Sequence, residues 1–284
     1  MEKIKIQRKP KWMKSPLPSG KTYIDVKSIV AKNRLHTICT SGNCPNMGEC
    51  WNAGTATFMI LGDICTRACG FCNTKTGKPL AVDYDEPNRI ADSVDKMKLK
   101  HCVLTSVDRD DLEDGGAEVW ATTIREIKNR TPHVTIECLI PDFNGDKDLI
   151  NKVIDAGPEV VSHNMETVRR LTPTTRTKAK YDTSLRVIEI ISNSSARSKS
   201  GIMLGLTETK EEVLETMRDL RNVGCEVITI GQYLQPTPNH LPIHEFITPE
   251  TFKEYETIGL EMGFRYVESG PLVRSSYHAE KHVN

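Results

Sequence analysis

The chain has 284 residues, enough to bury a sizeable core in one large α/β barrel or in two smaller domains. Its 38 Lys and Arg residues balance 38 Asp and Glu residues, so no overall charge directs it to nucleic acid or to a membrane surface. No apolar run approaches the roughly 20 residues needed to cross a bilayer.

The first residues, Met1 to Lys14, are basic. They have neither the apolar core of a secretory signal nor the pattern of a transit peptide, so we expect a cytoplasmic protein. We interpret this segment as a solvated extension; the alternative is an arm that wraps the domain or contacts an acidic partner.

Cysteines first appear as Cys39, Cys44 and Cys50, the N-terminal triplet, spaced Cys-x4-Cys-x5-Cys among turn-forming residues. We expect these thiolates to converge without a regular element holding them. Three thiolates leave one iron of a [4Fe–4S] cluster without a cysteine ligand. The alternative is a loop stabilised by zinc or by a disulfide.

Six apolar, β-like runs follow, with helical patterns between them. The predicted strands are Thr57–Ile64, His101–Ser106, Val134–Leu139, Val160–Asn164, Gly201–Leu206 and Val227–Gly231, and a shorter strand, Arg265–Ser269, comes after them. Such alternation predicts parallel β/α units, either as a partial open barrel or as a doubly wound sheet. In both folds the chemistry gathers at the carboxyl ends of the strands.

Three helix starts have clear sequence signals. Pro87 can open a helix, and Thr209 with Glu212 forms a capping box ahead of another. Thr248 followed by Pro249 gives a cap and a first helical residue for a third helix.

A second cysteine group lies directly after the first predicted strand. Cys65, Cys69 and Cys72, the barrel triplet, are spaced Cys-x3-Cys-x2-Cys. They can bind three irons of a [4Fe–4S] cluster and leave the fourth iron open for a chelating substrate. A zinc knuckle is the alternative, although zinc usually takes four ligands in paired motifs. Phe71 either packs in this loop or lies against a purine ring.

The cysteine count argues against a disulfide framework, because it is odd and six of the nine cysteines lie between Cys39 and Cys72. The other three lie beside β-like residues, so we interpret them as small buried apolar groups. They are Cys102, Cys138 and Cys225.

The barrel triplet, with an aromatic residue before its last cysteine, resembles the signature of the radical S-adenosylmethionine (SAM) superfamily. This resemblance implies that the amino and carboxylate groups of SAM chelate the open iron. Reductive cleavage of SAM would then give a 5′-deoxyadenosyl radical that abstracts a hydrogen atom from the substrate.

The two triplets together are similar to the lipoyl synthase family, and the likeness covers nearly the whole chain, from Arg8-Lys9-Pro10-Lys11-Trp12 to Arg274-Ser275-Ser276-Tyr277. It implies an α/β fold, a partial open (β/α)6 TIM-like barrel. It also implies insertion of two sulfur atoms at C6 and C8 of an octanoyl-lysine, with the second [4Fe–4S] cluster as the sacrificial donor. Ser276 would be the catalytic fourth ligand of that cluster, with Ser275 as the alternative.

The resemblance also implies an organisation and partners. Residues 1–55 would form an extension carrying the N-terminal triplet, residues 56–245 the barrel, and residues 246–284 a second extension. The substrates would be octanoylated lipoyl carrier domains, such as 2-oxoacid dehydrogenase E2 subunits and the glycine cleavage H protein. An external electron donor would be needed, and we expect a monomer that binds neither nucleic acid nor membrane.

Several residues at predicted strand ends are candidates for contact with SAM, together with Phe71: Thr105, Glu137, Asn164 and Gly205. Each has a plainer interpretation as a turn former or, for the glycine, as relief of crowding. We interpret the acidic loop Asp108, Asp110 and Asp111 as a solvated turn; the alternative is that it helps to shape the pocket. We interpret His101 and His163 as packed histidines.

Two other functions are compatible with these motifs. A different radical SAM enzyme would use the second cluster for electron transfer only. A zinc-stabilised binding module would have no catalytic activity.

Overall fold

The fold is organised around one sheet of eight strands, and the computed structural model describes residues 8–15, 18–52 and 55–283. In chain order the strands are β1 (His36–Thr37), β2 (Thr57–Ile60), β3 (Ile64–Cys65), β4 (Lys75–Thr76), β5 (His101–Ser106), β6 (Thr135–Leu139), β7 (Val160–Ser162), β8 (Arg197–Leu204), β9 (Val227–Gln232) and β10 (Tyr266–Gly270). The α-helices are α1 (Lys21–Lys32), α2 (Ile38–Ser41), α3 (Met47–Asn52), α4 (Glu86–Lys96), α5 (Ala117–Arg130), α6 (Lys147–Ile154), α7 (Thr172–Thr175), α8 (Tyr181–Ser192), α9 (Lys210–Asn222) and α10 (Pro249–Glu261). Short 3₁₀ turns lie at Lys11–Met13, Phe143–Gly145, Arg169–Leu171 and Ala279–Val283.

The large sheet is a partial barrel. Its order is β1-β2-β5-β6-β7-β8-β9-β10, and β3 and β4 form a separate pair. Strands β2 and β5 to β10 run parallel, while β1 pairs with β2 antiparallel. Within the described residues the two edge strands do not pair with each other, so the barrel stays open. The prediction of a partial open barrel is confirmed, and the doubly wound alternative is wrong.

The first predicted strand is divided in the structure. Strand β2 ends at Ile60 because Leu61 and Gly62 take positive φ angles, 68° and 93°. An extended ladder cannot pass through two left-handed residues. The chain leaves the sheet there, and β3 pairs with β4 instead.

Strand β8 begins four residues before the predicted start, at Arg197. Polar residues open this strand, and a polar run gives no apolar strand signal. The structure buries Lys199 all the same, because its ammonium group binds Glu137 of β6. A buried ion pair such as this one lets a strand contain polar residues, so the apolar pattern used to recognise strands does not find its start.

The three helix signals are confirmed. Pro87 lies in the first turn of α4, and Thr209 and Glu212 form both hydrogen bonds of the capping box of α9. Thr248 caps α10 by accepting a hydrogen bond from the Thr251 amide, 3.3 Å away.

The helices cover the outer face of the sheet, and side chains from helices and strands form the core together. Leu104 on β5 and Trp120 and Ile124 on α5 are fully buried. Cys102, Cys138 and Cys225 are fully buried too, as predicted. Of the helices described, none is both long and apolar enough to span a membrane. Because helices cover the outer face of the sheet, we expect a functional site at the open mouth of the barrel.

Candidate functional site

A cavity of about 480 Å³ opens at the carboxyl ends of the strands. The barrel triplet lines it, and so do Cys39 and Cys44 of the N-terminal triplet. Ser275 and Ser276, from the segment after β10, complete the same wall. Seven side chains from three separate parts of the sequence therefore face one space. Cys50 does not line the cavity, but Cys39 and Cys44 both raise its pKa.

Hydrogen bonds from the surrounding protein hold the loop of the barrel triplet in place. The backbone amides of Arg67 and Asp108 point at the Cys65 sulfur from 3.4 and 3.3 Å. Gly70 donates to the Thr175 carbonyl at 2.9 Å, and His240 hydrogen-bonds the Cys72 carbonyl at 3.0 Å. Such contacts reduce the entropy lost when the three thiols are brought to a cluster.

Arg67, between the first two cysteines, is the buried centre of this loop. Its guanidinium donates two hydrogen bonds to Asp110, both 2.8 Å, and two to Asp142, at 3.0 and 2.9 Å. Asp108 lies 3.3 Å away as a third anion. Bidentate pairs fix orientation as well as distance. Our interpretation of the acidic loop as a solvated turn is therefore wrong for Asp108 and Asp110, which clamp the loop of the barrel triplet.

The N-terminal triplet is held by short helices, contrary to our expectation of irregular structure. Cys39 lies in α2, which Thr37 caps, and Cys50 lies in α3. The Cys44 amide donates to the Cys39 carbonyl at 3.0 Å. Thr37 accepts a bond from the Thr40 amide, so one local cap outweighs the low helix propensity of the segment.

Burial raises the pKa of Cys65 to about 11 and that of Cys50 to about 12. Members of each triplet add to the effect, since Cys39 and Cys44 raise the pKa of Cys50 and Cys72 raises that of Cys65. The thiolate is the form that binds metal, and burial disfavours its negative charge. A metal cation must therefore compensate that charge.

The geometry distinguishes the two serines. The Thr57 hydroxyl donates to Ser276 Oγ at 3.0 Å. The backbone of Thr57 also lowers the pKa of Cys39, so Thr57 lies close to both Ser276 and the N-terminal triplet. Ser275 instead accepts a bond from the side-chain amide of Asn164, 2.7 Å away.

The donor set of each triplet fits an iron–sulfur cluster. Among the described residues no three His, Cys, Asp or Glu side chains lie close enough together to hold a single metal ion. The cysteines of a cluster bind different irons and so enclose a wider space. Arg274 lowers the pKa of Cys44, yet within the described part of the chain its guanidinium bonds only the adjacent carbonyl of Val273. An uncompensated cation therefore lies where a cluster would bring negative charge.

Comparison with known proteins agrees with this site. The Radical SAM superfamily model matches residues 59–220. The lipoyl synthase of Flavobacterium johnsoniae is 60% identical over 276 residues, covering 97% of this chain and 96% of its own. The mitochondrial lipoyl synthase of Nematostella vectensis is 57% identical over 277 residues, covering 97% and 95%. The chain belongs to the lipoyl synthase family.

Solved structures support the fold of this lipoyl synthase family member. Methylornithine synthase (PylB) superposes with a TM-score of 0.56 at 11% identity, covering 88% of this chain and 82% of that one. Enzymes of the superfamily use a [4Fe–4S] cluster and SAM, and the barrel triplet lies within the matched region.

The residues predicted to contact SAM fall into two groups. Phe71, Thr105 and Asn164 line the cavity, and the latter two are 7% exposed. Glu137 also borders the cavity, but Lys199 occupies both of its carboxylate oxygens at 2.8 and 2.9 Å. Gly205 has φ +102°, and a Cβ there would lie 2.3 Å from the Gln232 amide, so its conformation and packing explain the glycine.

Sequence reasoning missed two polar residues in this lipoyl synthase site. Glu166 lies at φ 66°, its carboxylate accepts a bond from Asn164 at 3.0 Å, and burial raises its pKa. Arg176 is 8% exposed and borders the same cavity. An acid two residues after a strand-end asparagine was the available signal for Glu166, whereas Arg176 lay in a segment without a motif.

His101 and His163 are packed histidines, as we predicted. His163 bonds the Ile140 carbonyl and the Ser184 hydroxyl at 3.0 and 2.9 Å. His101 bonds Thr135 at 2.9 Å. His163 borders the cavity, but both of its ring nitrogens are used in these bonds.

Proposed function

We propose that this chain inserts two sulfur atoms, at C6 and C8, into an octanoyl chain amide-linked to a lysine of a lipoyl carrier domain. The observation that carries the proposal is the cavity lined by the barrel triplet, by Cys39 and Cys44 of the N-terminal triplet and by Ser276. A radical made at one triplet would thus meet a sulfur source at the other without leaving the protein. Membership of the lipoyl synthase family supports the same reaction.

We assign the two triplets different roles. Cys65, Cys69 and Cys72 would hold a [4Fe–4S] cluster with one open iron, and the N-terminal triplet with Ser276 would hold a second. When bound, the first cluster would supply the electron that cleaves SAM, and the second would supply sulfide to the substrate. The chain itself holds the two loops in fixed relation, since Asn73 beside the barrel triplet donates to the Ser41 carbonyl at 2.8 Å.

Polar groups around the barrel triplet would orient SAM. We propose Phe71, Thr105, Asn164 and Glu166 as contacts, because all four border the cavity. Glu137 and Gly205 stay predictions, with less support: the carboxylate of Glu137 is already bound, and Gly205 is explained by packing.

Ser276 is the proposed catalytic serine, since its Oγ lies beside Thr57 and the N-terminal triplet. A serine oxygen is a hard ligand for a soft cluster and exchanges more readily than a thiolate. We expect Ser276→Ala to change the electron paramagnetic resonance signal of the reduced second cluster and to suppress sulfur insertion. Ser275→Ala is the matched control, which should keep that signal. The reverse result would make Ser275 the ligand.

The function is tested by mass spectrometry of an octanoyl-lysine peptide after anaerobic incubation with reductant and SAM. We expect a mass gain equal to two sulfurs for two hydrogens, with loss of iron and sulfide from the protein during one turnover. SAM cleavage with an unchanged peptide, and with both clusters retained, would instead indicate an electron-transfer role for the second cluster. Protein that binds zinc in place of iron would contradict the proposal outright.

We further propose octanoylated E2 subunits or the glycine cleavage H protein as substrates, an external electron donor, a monomeric state and a cytoplasmic location. Lys9, from the basic N-terminal segment, borders the cavity, and Met13 is buried. Residues 8–14, the described part of this segment, therefore lie against the domain, which favours the wrapping alternative for that part. Arg8, Lys9, Lys11 and Lys14 are exposed, and Lys9 lies where a carrier would approach.

A further inference from the structure

We propose that His282 is a positioning residue that anchors the C-terminal segment under the floor of the cavity. The anchor would hold the end of the chain in place while Ser276, at the wall of the cavity, leaves its ligand position. This inference rests on the proposed function for its purpose, but its geometry stands on the contacts of His282 alone.

The floor of the cavity is a buried ion pair. The Lys199 ammonium donates to both carboxylate oxygens of Glu137, and these side chains are 1% and 0% exposed. An ammonium group has three donors and no acceptor. The third Lys199 donor points at Nδ1 of His282, 3.2 Å away, and His282 is 0% exposed. All three donors of a buried cation are therefore used, the last by a residue from the end of the chain.

Further contacts hold His282 in this position. The Arg197 guanidinium donates to the His282 carbonyl oxygen, and the Tyr266 ring centroid lies 5.7 Å from the imidazole. Because Nδ1 accepts from Lys199, the proton of a neutral imidazole is on Nε2, which faces Glu268 Oε1 at 3.9 Å. The side chain is thus enclosed by β8 and β10, and the 3₁₀ turn around it contacts β5 and β6.

The anchor is short enough to restrict the serine. His282 is six positions after Ser276, so a fully extended chain between them spans at most about 22 Å. The turns between them, closed by bonds from the Tyr277 amide to the Arg274 carbonyl and from Lys281 to His278, make the real distance smaller. Ser276 can leave a metal and return, but it cannot drift from the cavity while His282 stays bound.

Removing the imidazole leaves the third donor of Lys199 unsatisfied in a dry environment, which is costly. The C-terminal segment should then detach. We expect His282→Ala, loaded with clusters and kept without substrate, to show hydrogen exchange about tenfold faster or more for amides 274–283, with exchange in β5 to β9 unchanged. The reduced second cluster should also lose its single, serine-ligated resonance signal and show a mixture.

Two variants make the result interpretable. Lys281→Ala changes the exposed neighbour of His282 and should behave like the unmodified protein. His282→Gln keeps an acceptor for Lys199 and should restore slow exchange and the single signal. Unchanged exchange of 274–283 in His282→Ala would overturn the anchor, and so would faster exchange of the whole barrel that glutamine does not correct. Since no substrate is present, failure of sulfur insertion in the separate peptide assay would refute the proposed function without touching this result.

Discussion

Alanine at Cys39, Cys44 or Cys50 should leave SAM cleavage running and abolish sulfur insertion. The physical reason is that the two triplets are held by separate structures. The barrel triplet depends on Arg67 and its aspartates, whereas the N-terminal triplet depends on α2 and α3. Each variant should bind about four irons instead of about eight. The measurements are iron content, 5′-deoxyadenosine formation and the mass of the octanoyl-lysine peptide.

Variants of the barrel triplet complete that experiment. Cys65→Ala should lose both SAM cleavage and sulfur insertion, because both depend on the open iron. Cys102→Ala, which changes a fully buried cysteine outside both sets, is the control and should retain both activities. Our division of roles fails if variants of the N-terminal triplet cannot cleave SAM although the barrel triplet still holds its iron.

Methionine at Arg67 should lower the free energy of unfolding by about 3–5 kcal/mol, the usual cost of removing one partner from a buried charge network. The side chain of Arg67 is 5% exposed and that of Asp142 3%, so the remaining carboxylates cannot be solvated without rearrangement. Loss of the clamp should also impair iron loading at the barrel triplet, since Cys65 and Cys69 flank this arginine. Chemical denaturation of the cluster-free protein and iron content after reconstitution measure the two effects.

The effect of Arg67 should depend on pH. Its hydrogen bonds hold the pKa of Asp110 below the ordinary range, and at Asp142 they outweigh the burial that pushes its pKa upward. Carboxyls with a depressed folded pKa stabilise above their unfolded pKa, near 4, and lose that contribution as pH falls through the folded value. At Asp108 burial prevails and raises the pKa, which opposes this trend in part. The stability difference between the unmodified protein and Arg67→Met should therefore shrink in acid.

Arg89→Met is the matched control for this prediction. Arg89 also contacts two aspartates, Asp83 and Asp85, but these are 55% and 63% exposed. Solvated ion pairs contribute only about 0–1 kcal/mol, so this variant should change stability little. Equal losses from Arg67→Met and Arg89→Met would show that the clamp has no special role.

The motifs and the sheet were predictable because they depend on local information. Cysteine spacing, the capping box at Thr209 and Glu212, and the alternation of strands and helices are all readable over a few tens of residues. Strand ends were less predictable where local rules compete. Left-handed residues at Leu61 and Gly62 cut β2 short, and polar residues concealed the start of β8.

Amino-acid order alone thus determined the two triplets, the alternation of strands and helices, and the resemblance to the lipoyl synthase family, which implied the open barrel. Only the tertiary structure decided which serine faces the N-terminal triplet, what Arg67 binds, and why Lys199 is buried. Those contacts join residues 219, 75 and 62 positions apart. No local pattern encodes such pairs. Ser275 and Ser276 are adjacent residues of the same type in a turn, so they can be told apart only once the fold places Thr57 beside Ser276. Physical proximity at the mouth of the barrel converts two cysteine motifs into one site.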